Sequence, residues 1–154
     1  SLFLTFFVMA PTFSQVYDSA VKPLSNNEIT AEEAFDAGMQ PIREFMLRQT
    51  STKDLDTFLK IAKVEEGSIE SEDDIPNNIL IPSFIISELR IAFIIGFLIY
   101  LPFIIIDMVV SSTLMSMGMM MLPPTTISTP FKILLFVMAD GWNLIIGNLV
   151  STFR

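Results

Sequence analysis

The sequence predicts an all-α, membrane-associated chain, and three observations carry that prediction. Of its 154 residues, 51% are hydrophobic and 17% charged, with a mean hydropathy of +0.58. That is too apolar for an ordinary soluble domain and not apolar enough for a chain made only of membrane helices. The charge is segregated: residues 11–78 hold 14 acids and 6 bases, which accounts for the whole net charge of −8. Elsewhere Glu88, Asp107 and Asp140 balance Arg90, Lys132 and Arg154. An acidic, water-facing middle is therefore framed by apolar segments, and the apolar positions fall at helical spacings or in long runs.

Several chemistries are excluded at once. The chain has no His and no Cys. It offers no Cys or His metal site, no Ser–His or Cys–His nucleophile pair, no disulfide and no imidazole base. The negative charge argues against a nucleic-acid surface. No glycine-rich nucleotide-binding motif occurs, and no cofactor or metal is expected.

Taken in order, residues 1–11 read as the end of a longer apolar helix. Ser1 is not an initiator, and Leu2 to Ala10 span only about 15 Å, half of a hydrocarbon layer. Pro11 is expected to mark where the backbone leaves that helix. Residues 12–80 form the acidic helical domain. Thr30-Ala31-Glu32-Glu33 fits a capping box, followed by Phe35, Met39, Ile42 and Met46 on one helix face, with a break or kink expected at Pro41 beside Gly38. Ser51-Thr52-Lys53-Asp54 matches a second capping box, and Leu55, Phe58, Leu59 and Ala62 make the next stripe. Glu65 to Asn78, with six acids and no base, reads as a mobile, solvated loop.

Residues 81–154 form an apolar helical hairpin. Pro82 suits a first helical turn, and Gly96 permits close helix approach. Ile91 to Ile106 is sixteen residues without a charge, about 24 Å, short of a full crossing. A kink is expected at Pro102. A Met- and Pro-rich loop follows over 115–124, and Ser128-Thr129-Pro130 reads as the start of a last helix running to about Thr152.

Five of the ten methionines fall in the hairpin tip: Met115, Met117, Met119, Met120 and Met121. Such soft, unbranched side chains either fill a gap between helices or form a deformable apolar plug. Asp107 lies 11 residues before Gly118 and Lys132 lies 14 after it, so folded arms bring them to similar heights. They can pair within one hairpin or across neighbouring copies, or snorkel to water. Glu88 and Arg90, two apart, do not face each other and each needs another partner. Asp140 is expected to satisfy a neighbouring helix. Asp107 and Asp140, two acids in apolar segments, raise an aspartyl intramembrane protease as an alternative, against which stands the lack of an aspartyl signature around either.

A run of segments in order gives the chain a family resemblance. These are Leu4-Thr5-Phe6-Phe7-Val8-Met9-Ala10-Pro11, Arg43-Glu44-Phe45-Met46-Leu47, Glu88-Leu89-Arg90-Ile91-Ala92-Phe93 and Leu101-Pro102-Phe103-Ile104-Ile105-Ile106-Asp107. Gly118-Met119-Met120-Met121 with Pro123-Pro124, Pro130-Phe131-Lys132 and Asp140-Gly141-Trp142 complete the set. Together they resemble the FliP/SctR family of type III secretion export gate proteins, without the family's N-terminal part and closer to the flagellar than to the injectisome branch. The resemblance implies a homo-oligomeric ring or helical assembly in the bacterial inner membrane at the flagellar basal body, with the middle domain periplasmic. It implies FliQ, FliR, FlhB, FlhA and FliO as partners, exported flagellar subunits as cargo, and no enzymatic activity. It further implies that Met119, Met120 and Met121 form a gasket closing the pore, that Asp107 and Lys132 pair between copies, and that Glu88, Arg90 and Asp140 are further buried charges. The apolar helices of such a gate stand largely above the membrane plane.

Overall fold

A computed structural model describes residues 1–64, 71 and 74–153. Among them every regular element is helical, and the chain divides into two units, Ser1–Arg90 and Ile91–Arg154.

In the first unit, helix α1 (Leu2–Val16) does not end at Pro11. It passes through the proline into a π-helical turn, Tyr17–Val21, and a short helix α2, Lys22–Ser25. A break at Pro11 would free more backbone donors and acceptors than the single N–H that proline lacks. The π turn widens the helix in the residues before Pro23, where that ring would otherwise meet the carbonyl four residues back. The turn is fixed by helix α3 (Ala31–Gln49): Ser19 Oγ donates to the Ala37 carbonyl at 3.2 Å, and buried Gly38 lies against Ala20.

The capping box at the start of α3 forms as expected. Thr30 N–H donates to Glu33 Oε2 at 2.8 Å, and Glu33 N–H donates to Thr30 Oγ1 at 3.3 Å. The Thr30 backbone donor, and then its hydroxyl, hold the Glu33 carboxyl below the usual glutamate range. Pro41 does not break α3, and Gly38 serves helix contact instead. Buried residues flank the proline on both sides, Ala34 and Gly38 before it and Phe45 and Met46 after it, so packing holds both halves in one helix. Phe35 stands mostly exposed, so the expected stripe is buried only toward its Met46 end.

Helix α4 (Thr52–Ile61) presents Leu55, Phe58 and Leu59 to a core of Met46, Ile75, Ile79 and Leu80. The long helix α5 (Asn77–Ser116) starts inside that core. The acidic loop expected over Glu65–Asn78 lies largely outside the described residues; at its described end Ser71, Asp74, Pro76 and Asn78 are exposed, but the backbone is anchored. Ile75 is buried, Asn77 opens α5, and Arg43 of α3 donates to the Ile75 carbonyl at 2.8 Å and to Asn77 Oδ1. Pro82 therefore sits within α5 and not in its first turn.

The second unit holds the rest of α5, helix α6 (Pro124–Met138) and helix α7 (Gly141–Ser151). α5 continues unbroken through Pro102, and a Cβ added at Gly96 would meet none of the described residues within 4 Å, so the expected close approach of a helix is not made there. α6 begins four residues before the expected Ser128, with Pro123 as cap and Pro124 at the first position. Pro130 is interior. The Thr129 hydroxyl bonds back to the Thr125 carbonyl at 2.7 Å.

The last helix is not continuous to Thr152. It breaks at Asp140, whose left-handed backbone (φ 49°, ψ 49°) bends α6 and α7 by 58°. Asp tolerates that conformation better than most residues. The next position must be glycine, because a Cβ on Gly141 would fall 2.5 Å from the Phe136 ring. Phe136 in turn packs edge-on against Trp142, with centroids 5.3 Å apart, and tilted against Phe103 at 6.5 Å. α5 is long and apolar enough to cross a membrane, and its apolar stretch is not buried inside the chain. α6 and α7 qualify only as one broken span.

Candidate functional site

The tip between α5 and α6 is built by its helix ends. Gly118 has φ 74°, and the Met119 N–H reaches the Leu114 carbonyl at 3.0 Å while the Gly118 N–H reaches that of Met115 at 3.0 Å. This paired bonding is a Schellman ending, which requires a residue free to adopt the left-handed region at position 118. Pro123 and Pro124 close the tip from the other side by opening α6. Met119, Met120 and Met121 are thereby held outside both helices. Met120 is 85% exposed and Met121 98%. Met115 and Met117 are exposed as well. Among the described residues these five methionines fill no gap between helices of their own chain.

Behind the tip the structure brings Asp107 and Lys132 together. Lys132 Nζ donates to Asp107 Oδ2 at 2.6 Å, and both side chains are half-buried. Of the arrangements open to the sequence, a single chain adopts the pairing within one hairpin. Ser128 completes the group: fully buried, its hydroxyl donates to Asp107 Oδ1 at 2.5 Å. Both carboxylate oxygens are thus occupied, a charge-assisted arrangement that fixes the register of α6 on α5. Ser128 stands four residues before Lys132, hence on the same helical face, and that spacing was the available signal for it.

Glu88 and Arg90 do not pair with each other. Arg90 binds Asp54, which is only 5% exposed at the start of α4, while Glu88 is half-buried on α5. This corrects the second expected capping box. The side chain of Ser51 makes no cap bond, and Asp54 turns toward α5 instead. Ser87, 1% exposed, takes over. Its hydroxyl accepts the Ser51 N–H at 2.8 Å and donates to Asp54 Oδ2 at 2.7 Å. Asp54 and Ser87 carry no sequence signal beyond the capping pattern they override. Asp140 does not reach a neighbouring helix either. It is exposed and accepts a local bond from Asn143 at 3.1 Å. Asp140 and Arg90, expected among the buried charges, are exposed in the single chain. Among the described residues no group of His, Cys, Asp and Glu could hold a metal ion.

The FliP family model matches residues 1–149. The chain belongs to the FliP family. Curated relatives agree across its whole length. The flagellar biosynthetic protein FliP of Bacillus subtilis is 56% identical over 153 residues, covering 99% of this chain and 68% of its own length. That of Pectobacterium carotovorum is 51% identical, covering 99% and 58%, and that of Caulobacter vibrioides 49% identical, covering 100% and 57%. The chain thus spans between about half and two thirds of these family members.

Proposed function

We propose that the chain is a core subunit of the flagellar type III protein export gate in the bacterial inner membrane. Several copies join FliQ and FliR around a channel for unfolded flagellar subunits, FlhA and FlhB complete the gate, and FliO assists its assembly. The acidic helices face the periplasm. The part played by this chain is passive and not enzymatic: it forms the conduit, and the methionine tips of neighbouring copies meet and close it. Family membership supports the export role. The observation that carries the sealing role is the tip itself, where a left-handed glycine and two prolines hold Met119, Met120 and Met121 clear of both helices, with Met115 and Met117 exposed beside them. Thioether side chains exclude ions yet deform around a passing polypeptide.

Replacing Met119, Met120 and Met121 together with Ala tests this. The purified complex should assemble and conduct small ions where the unmodified complex does not. Unchanged conductance in an assembled particle overturns the sealing role.

A further inference from the structure

The exposure of the tip has chemical consequences of its own. Methionine thioethers are oxidised where a peroxide can reach the sulfur, and the product changes an apolar side chain into a polar, chiral one. Buried methionines are shielded by their neighbours, as Met46 is in the core of the first unit. Met120 and Met121 have no such cover from their own chain, and Met115, Met117 and Met119 lie exposed around them. The Schellman ending and the two prolines hold Met119, Met120 and Met121 outside α5 and α6.

We propose that Met119, Met120 and Met121 are a peroxide-sensitive modification site whose oxidation opens the seal. The step balances simply. A sulfur lone pair attacks one oxygen of hydrogen peroxide, an S–O bond forms as the O–O bond breaks, and proton transfer to the departing hydroxide gives water. Sulfur is oxidised by two electrons to the sulfoxide and the peroxide is reduced. A methionine sulfoxide reductase using a dithiol restores the thioether with formation of a disulfide and water. Each sulfoxide places a hydrogen-bond-accepting dipole where an ion-tight plug needs apolar contact, and every copy in the ring contributes three. This rests on the sealing role proposed above.

The test uses the assembled membrane complex treated with hydrogen peroxide. Two readings are taken: oxygen addition at each methionine by mass spectrometry, and conductance to small ions. Sulfoxide is expected at Met119, Met120 and Met121 ahead of Met46, with conductance rising toward that of the triple Ala variant and falling again after reductase treatment. The triple Leu variant carries no thioether, and its conductance, whatever its starting value, should not change on peroxide treatment. Where that variant does not assemble, biosynthetic replacement of methionine by norleucine serves the same purpose. Oxidation no faster at the tip than at Met46 overturns the proposal, as does tip oxidation without leakage in a complex whose Ala variant leaks. A triple Ala variant that does not leak overturns the sealing role and, with it, the opening. The mass readings then decide separately whether the tip is the modified site.

Discussion

Ser87 shows how much one side chain settles in this chain. Its hydroxyl is at once acceptor for the Ser51 N–H and donor to Asp54, and it is buried so completely that water cannot replace either bond. Ser87→Ala leaves a half-buried amide without its acceptor and a buried carboxylate with one partner fewer. That should destabilise the first unit by about 1–3 kcal/mol, read as a lower unfolding midpoint in detergent, while Ser87→Thr keeps both bonds and most of the stability. Equal midpoints for Ala and the unmodified chain would show the bonds to be without consequence. The same reasoning ranks Ser128, buried beneath Asp107, above the exposed Ser112 and Ser116.

At the scale of elements, local chemistry was legible and distant chemistry was not. The start of α3 was readable because Thr30 and Glu33 satisfy each other within one turn. Its carboxylate is held below the usual range, so the contribution is complete above the pKa of the unfolded chain and is lost as pH falls through the lower folded value. Protection of the Thr30 and Glu33 amides, taken relative to intrinsic exchange at each pH, should therefore persist on mild acidification and fall only below the ordinary glutamate range. Loss of protection already at or above that range would contradict the depressed pKa. The start of α4 carried the same pattern and misled, because its acid is claimed by Ser87 and Arg90 some 33 residues and more along the chain. Prolines 11, 41, 102 and 130 misled in a different way. A proline costs about 3 kcal/mol in a helix interior, yet a break costs several backbone bonds and the packing on both sides. The break that does occur, at Asp140, depends on the Phe136 ring against Gly141, which no local pattern announces. The methionine tip was legible because a glycine and two prolines bound it in sequence as they do in space.

On the scale of the whole molecule, apolar side chains stand exposed along α1, α5, α6 and α7, from Phe3 and Phe93 to Met138 and Trp142. Monomeric soluble proteins rarely leave contiguous apolar surface of this kind uncovered, which fits a chain completed by lipid, by copies of itself or by partners. The Asp107–Lys132 pair offers a measurement of that completion. Asp107→Lys or Lys132→Asp alone should reduce the yield of assembled particles, and the two together in one chain should restore it. Recovery when the two single variants are co-expressed is the signature of pairing between copies, and its absence that of the pairing within a chain seen here. No recovery in either arm would remove the pair from assembly altogether. The bend at Asp140 has a consequence for biogenesis. Insertion machinery weighs an emerging segment by its apolarity and length, and residues 124–151 weigh as one crossing. As folded they are two stubs of about 22 and 16 Å, neither tall enough to reach from one headgroup layer to the other. A topology inferred from translocation of this segment during synthesis and one mapped on the finished particle should therefore disagree.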